Sequence, residues 1–418
     1  MKPDAGSLPA SEPDRHRRTI ITVIGLTQIT GWGSSYYLLG VLAAPVAADT
    51  GWPLSWVVGG QTVGLLVAGL VSPFVGRRID RHGGKPVLAA STLLLALGLV
   101  VLAAALSLPV YIGAWVFIGA GMGAGLYDAA FASLGRYFGR DARRAITIVT
   151  LFGGFASTLS WPVVALLVDR VGWRGASLGL AAVNVGFALP LLLTFLPRAP
   201  AREVATSNVH DVGALRIEER PAFLLLATVL VLSGAVAAIV SVHLLTLLQA
   251  VGLTLASAVA LGAVIGPSQV VARVIEAAGG ERHHPLWTLL AAMMLVATGV
   301  AMLWFEVRSV AAALVLYGAG NGVYSIARGT VPLTLFGPSR YAPIIGKLAL
   351  ASLLAQAATP PLAALLLERA GSASVLAVLL GLALMNVMLV IGLGFEIRRS
   401  KQRSPMAEFR REGLFRGG

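Results

Sequence analysis

At 418 residues, 57% hydrophobic and only 12% charged, the chain is no ordinary soluble enzyme, since soluble domains run near 45–50% apolar and about 25% charged. Zero cysteines exclude disulfides, Cys-ligated zinc, iron–sulfur clusters and thiol nucleophiles together. Thirty-two Lys and Arg against nineteen Asp and Glu give a net charge of +13, which marks either a nucleic-acid partner or a membrane topology, depending on where the charges lie.

Residues 1–18 are polar and end in Arg15-His16-Arg17-Arg18; they read as a tail leading into the first helix, because the run that follows is longer than a signal-peptide core. A membrane-spanning helix needs roughly 20 apolar residues. Charge-poor runs of that kind fall at 19–43, 53–76, 86–106, 109–137, 145–168, 174–196, 221–248, 253–277, 285–305, 309–336, 342–367 and 372–397, predicting an all-α integral membrane protein with twelve spans. Glycines and prolines inside the runs are tolerated because neighbouring membrane helices re-satisfy the backbone. The predicted organisation is a tail (1–18), a six-helix half (19–196), a linker (197–220), a second six-helix half (221–397) and a tail (398–418).

Alternate loops carry the cations. One side holds Arg77, Arg78, Arg81 and Lys85, then Arg140, Arg143 and Arg144, then Arg198, Arg202, Arg216 and Arg220, then Arg282 and Arg340; the other holds Arg170, Arg174, Arg308 and Arg369. By the positive-inside rule the first side is cytoplasmic, and with it both termini. The positive charge is therefore read as a topology signal facing anionic lipid, not nucleic acid.

The halves repeat at a constant offset of 199 residues. Pro162 to Gly172 (PVVALLVDRVG) aligns with Pro361 to Gly371 (PLAALLLERAG), Gly119-Ala120-Gly121-Met122-Gly123 with Gly318-Ala319-Gly320-Asn321-Gly322, and Pro86 with Pro285. Six helices return the chain to its starting side, so the halves are parallel repeats. Between the second and third runs stands Gly76-Arg77-Arg78-Ile79-Asp80-Arg81-His82-Gly83-Gly84-Lys85. This resembles the major facilitator superfamily signature G-x-x-x-D-R-x-G-R-R, with Gly84 in place of the first terminal basic residue. The resemblance implies a transporter fold in which Gly76, Asp80, Arg81, Gly83 and Lys85 latch one conformation. It also implies a central cavity lined by helices 1, 4, 7 and 10 together with 2, 5, 8 and 11.

Ionisable groups inside a bilayer are costly and are functional candidates. In the eighth run Gln269 and Arg273 stand four apart and share a helix face. Arg273 is similar to the substrate-carboxylate arginine of the monocarboxylate-transporter branch (D-x-x-A-R). Gln269 takes the place of that acid, and residues 19–43 lack the branch's helix-1 lysine. Trp32, Tyr36 and Tyr37 stand there instead. A competing reading pairs Arg273 with Glu276. The tenth run holds Asn321, Tyr324 and Arg328. Asp128 in the fourth run is either a proton carrier or the partner of Arg328 between the halves. His243 is either a second titrating group or a hydrogen-bonded packing residue.

No phosphate-cradling GxxxxGK[ST], HExxH or nucleophile constellation is present, so no enzyme activity, metal or cofactor is expected. The expected function is secondary-active transport of a small organic anion, such as a monocarboxylate, with proton symport. Substrate would contact Arg273, Arg328, Gln269, Asn321, Tyr324, Tyr36 and Tyr37, with Asp128 or His243 moving the proton. Two alternatives stay open, a proton-driven exporter of amphipathic compounds and a non-transporting sensor. The expected setting is a bacterial-type inner membrane, as a monomer. A reporter placed after residue 205 should label from the cytoplasm and one beside Asp49 from outside; the reverse pattern would overturn the orientation.

Overall fold

The computed structural model describes residues 12–198, 215–279, 282–305 and 309–414, all helices and their connections. Most of the linker and parts of both tails lie outside the described residues. Among the described residues fifteen α-helical segments follow in chain order: α1 (Glu12–Gly33), α2 (Leu39–Thr50), α3 (Leu54–His82), α4 (Gly84–Ala103), α5 (Leu108–Gly125), α6 (Tyr127–Phe138), α7 (Ala142–Gly154), α8 (Ala156–Val183), α9 (Leu189–Phe195), α10 (Arg220–Ala250), α11 (Leu255–Gly262), α12 (Ile265–Gly279), α13 (Pro285–Trp304), α14 (Val310–Phe336) and α15 (Pro338–Leu414). Non-helical backbone at Gly172 divides α8 and at Gly371 divides α15. Among the described residues, eight helical stretches are long and apolar enough to cross a membrane. Two of these, Leu108–Phe195 and Pro338–Arg399, hold 88 and 62 residues, far beyond the roughly 20 one crossing needs.

The apolar runs map onto these helices with several internal breaks. The first run, predicted as one helix over 19–43, is interrupted by a turn at residues 34–38 between α1 and α2. There Ser34 and Ser35 hydroxyls bond back to the Thr30 and Gly31 carbonyls, and the Tyr37 amide reaches Trp32, a competition that bends helices. The run at 109–137 breaks at Leu126, whose backbone is extended, and 253–277 breaks between α11 and α12. The signature segment is helical through His82, and Gly83 alone, at φ 78°, makes the turn into α4.

The repeat is physical. Glycines at positive φ recur at Gly51 and Gly252, Gly139 and Gly337, and Gly172 and Gly371, within two residues of the 199 offset. Buried amide–hydroxyl pairs recur as Asn184 with Ser34 and Asn386 with Ser233, each at 3.1 Å. The paired glycine triplets also act alike: a side chain at Gly119 or Gly123 would strike the α3 backbone, and one at Gly318 or Gly322 the α12 backbone.

The halves meet chiefly at the end of the bundle that carries the start of α1 and the α3–α4 turn. One core there joins Ile20, Ile79, Phe131 and Ile146 of the first half to Leu333, Tyr341 and Ile345 of the second. Gly76 and Gly346 let α3 and α15 touch: a Cβ at Gly76 would lie 2.3 Å from the Ala342 carbonyl, and one at Gly346 2.5 Å from that of Ser72. At the opposite end Asp49 of α2 accepts from Trp173 at 2.9 Å and pairs with Arg174, tying α2 to α8 inside the first half.

The second half has its own clasp, a two-bond ion pair from Arg340 to Glu219 at 2.5 and 2.6 Å. Burial alone would raise the Glu219 carboxyl, but hydrogen bonds from Arg340 and the Arg216 amide outweigh it and hold Glu219 below its ordinary value. A depressed carboxylate contributes stability above its unfolded pKa and loses it as pH falls through the folded one. The thermal midpoint of the wild type should therefore drop more steeply below about pH 4.5 than that of Glu219→Gln; parallel curves would deny the clasp any role.

Candidate functional site

The break at Leu126 starts α6 at Tyr127 and puts Asp128 in its first turn, where the helix dipole favours a negative charge. From the other half, Arg328 of α14 places Nη2 2.7 Å from each Asp128 oxygen. Both side chains are largely buried, so the pair joins the halves inside the bundle. Of the two readings weighed for Asp128 and Arg328, the inter-half ion pair is the geometry present. A void of about 10 Å³, room for one water, lies beside Asp128 and is lined by Ser72, Gly76, Gly123 and Gly346.

Arg273 is more deeply buried, at 5% exposure. Its Nε donates to the Gly322 carbonyl at 3.2 Å, Nη1 to the Thr150 carbonyl at 3.0 Å, and Nη2 to Gln269 Oε1 at 3.3 Å. These partners are neutral, and among the described residues Arg273 makes no ion pair. The proposed Arg273–Glu276 pairing is absent: Glu276 instead accepts from Thr288 at 2.7 Å. Gln269, in the acid's position, thus holds the guanidinium without neutralising it. Thr150 also accepts from the Tyr127 hydroxyl at 3.2 Å, so α6, α7 and α12 converge on one carbonyl. Gly153 and Gly154 make the clearance, since side chains there would overlap the Tyr127 hydroxyl and Arg273 Nη1.

Tyr36 and Tyr37 pack on Trp32, which meets Tyr127, whose hydroxyl shares the Thr150 carbonyl with Arg273. Tyr324 is buried one turn from Arg328 on α14, and Asn321, half-buried, lies a turn further on. His243 Nε2 lies 3.0 Å from the Pro360 carbonyl, the hydrogen bond that its packing reading requires. The signature residues sit at the closed end: Asp80 is buried, Gly76 touches α15, Arg81 is exposed, and Lys85 donates to the Leu193 carbonyl at 2.8 Å. Sequence reasoning missed Thr150, Gly153, Gly154 and the contact made by Tyr127; a Gly-Gly pair inside an apolar run is the signal that could have found them.

Two guanidinium groups and one carboxylate leave a single positive charge in a poorly hydrated interior, where an unneutralised charge is costly.

The sequence profile of the Major Facilitator Superfamily matches residues 24–305, well over half of the chain. The chain belongs to that superfamily. It is a multi-pass membrane transporter and not an enzyme. It is 34% identical over 163 residues to mouse monocarboxylate transporter 11, a match covering 37% of this chain and 35% of that protein, so the chain spans about a third of that relative's length. It also resembles the solved human organic anion transporter MFSD10, with a TM-score of 0.69 at 18% identity over 90% of this chain and 99% of the other. The fucose:proton symporter FucP of E. coli, in an outward conformation, gives a TM-score of 0.72 at 13% identity over 90% and 98%. At these identities the solved structures speak for the superfamily fold.

Removing one partner of a buried ion pair costs about 3–5 kcal/mol, whereas removing both costs far less. Asp128→Asn and Arg328→Gln should each lower the thermal midpoint of the purified protein, and the double variant should recover much of the loss. Additive losses would show that the two residues act independently.

Proposed function

We propose that this superfamily member moves a small organic anion, a monocarboxylate by class, through alternating access with a proton travelling alongside. The observation that carries the reading is Arg273, a buried guanidinium held by three neutral oxygens beside an already balanced Asp128–Arg328 pair. In this reading twelve helices span a bacterial-type inner membrane, both termini are cytoplasmic, and the protein works as a monomer. The 197–220 segment joins two halves that rock about the central site, and the described form is closed toward the cytoplasm by the shared core around Ile79 and Tyr341. The Gly76–Lys85 signature latches that state.

Coupling follows from competition. Substrate carboxylate and Asp128 seek the same Arg328 guanidinium, so protonating Asp128 hands Arg328 to the substrate. The loaded site, with anion bound and Asp128 protonated, carries the same charge as the empty one, which makes the exchange electroneutral. Gln269, Asn321, Tyr324, Tyr36 and Tyr37 complete the binding surface.

A second reading, a proton-driven exporter of amphipathic compounds, draws on the rings of Trp32, Tyr36, Tyr37 and Tyr127 packed near Asp128. A thermal-shift panel of carboxylates and lipophilic cations on the purified protein separates the two. Losing one charge-assisted buried contact costs about 1.5–3 kcal/mol, so Arg273→Ala should weaken carboxylate binding about ten- to hundredfold. Arg273→Lys should rescue it poorly, because an ammonium lacks the planar fork. Wild-type carboxylate affinity in Arg273→Ala, or stabilisation by cations alone, would transfer the assignment to the exporter reading.

A further inference from the structure

The two halves contribute unlike chemistry to the central site. The second half supplies the guanidinium groups, Arg273 and Arg328. The first supplies a continuous run of aromatic rings. Trp161 meets Tyr37 at 6.3 Å between centroids, Tyr37 meets Tyr36 at 5.5 Å, and both tyrosines meet Trp32 at 5.8 and 5.2 Å. Trp32 meets Tyr127 at 4.8 Å, and Tyr127 stacks on Phe131 at 5.1 Å with planes 10° apart. Polar edges are fixed: the Trp32 indole donates to Gln28 at 3.2 Å and that of Trp161 to the Tyr37 carbonyl at 3.1 Å. The middle of the run is half-buried, and Trp161 at its far end is 47% exposed.

The fold does not require these rings. At the 199-residue offset the second half places Val231, Ala235, Val236, Ile326 and Pro360 opposite Trp32, Tyr36, Tyr37, Tyr127 and Trp161. The register there is anchored by Ser34 against Ser233 and by Gly123 against Gly322, matched in structure as well as sequence. The same helices therefore pack with aliphatic and small side chains in one half and rings in the other. Rings dispensable for packing, set beside a guanidinium pair, are a feature of the site.

We infer that the substrate is an aromatic monocarboxylate, its carboxylate held by Arg273 and Arg328 and its ring lodged against Trp32, Tyr36 and Tyr37. This deepens the anion reading and rests on it. The ring and the carboxylate then bridge the halves, each half gripping a different end of the molecule. A short aliphatic acid would satisfy the arginines but leave the aromatic faces uncovered.

The test compares phenylacetate, cyclohexylacetate and acetate on the full-length purified protein, by calorimetry and by quenching of tryptophan fluorescence. Aromatic pairs add a modest increment beyond area burial. Phenylacetate should therefore bind about two- to tenfold tighter than cyclohexylacetate, which matches its size without a π face, and both should bind tighter than acetate. Tyr37→Leu should erase the preference for phenylacetate over cyclohexylacetate, and Tyr37→Phe should keep it. Equal affinity for phenylacetate and cyclohexylacetate in the wild type, which needs no variant to fold, overturns the aromatic inference and leaves the anion reading standing. Failure of all three acids to bind, with lipophilic cations binding instead, overturns the anion reading beneath it.

Discussion

An ionised side chain in a medium of low polarity must find a counter-charge or a dense set of hydrogen bonds, and the interior of this bundle meets that demand in two different ways. Asp128 and Arg328 neutralise one another across the halves. Arg273 is held by carbonyls and an amide. The first solution cancels a charge across the halves, and the second, which also crosses them through Thr150, leaves a charge without a counter-ion among the described residues. Closing a pair and leaving one group over gives a site that is structurally tied yet chemically unfinished.

Close backbone approach makes that arrangement possible. Glycines at 76 and 346 bring α3 onto α15, and those at 318 and 322 bring α14 onto α12. The Gly322 carbonyl thereby comes within reach of Arg273. Gly153 and Gly154 then open just enough room on α7 for the ends of Tyr127 and Arg273. With no hydrophobic effect to drive helices together in lipid, such small-residue contacts carry the packing. They also place neutral acceptors around a charge, so the packing code and the chemical code share residues.

Much of this was legible in the sequence, because its signals are compositional. Charge-poor runs, the 199-residue register and the signature from Gly76 to Lys85 each survive without knowledge of contacts, and each corresponds to helices or a duplicated turn in the structure. The breaks at residues 34–38 and at Leu126 were not legible. Both fall inside runs long enough to read as single helices, and their cause lies in local hydroxyl bonding and backbone conformation. The site divided the same way. Arg273, Arg328 and Asp128 announce themselves as charges in apolar helices, but whether Arg273 turns to Glu276 or to Thr150 depends on a helix from the other half. Thr288, twelve residues from Glu276, settles that competition, and no local spacing points to it.

The ion pair also bears on how the protein is made. Its partners lie 200 residues apart, so at about 5–20 residues per second Asp128 enters the membrane some 10–40 s before Arg328 exists. During that interval the first half carries a carboxylate whose partner from the second half has not been made, on a helix whose one other charge is Arg136, two turns away. A bilayer tolerates such a group when it is protonated or reached by water. The nascent half therefore has to shelter Asp128 on its own terms, and arrival of the second half is the first event that supplies the guanidinium.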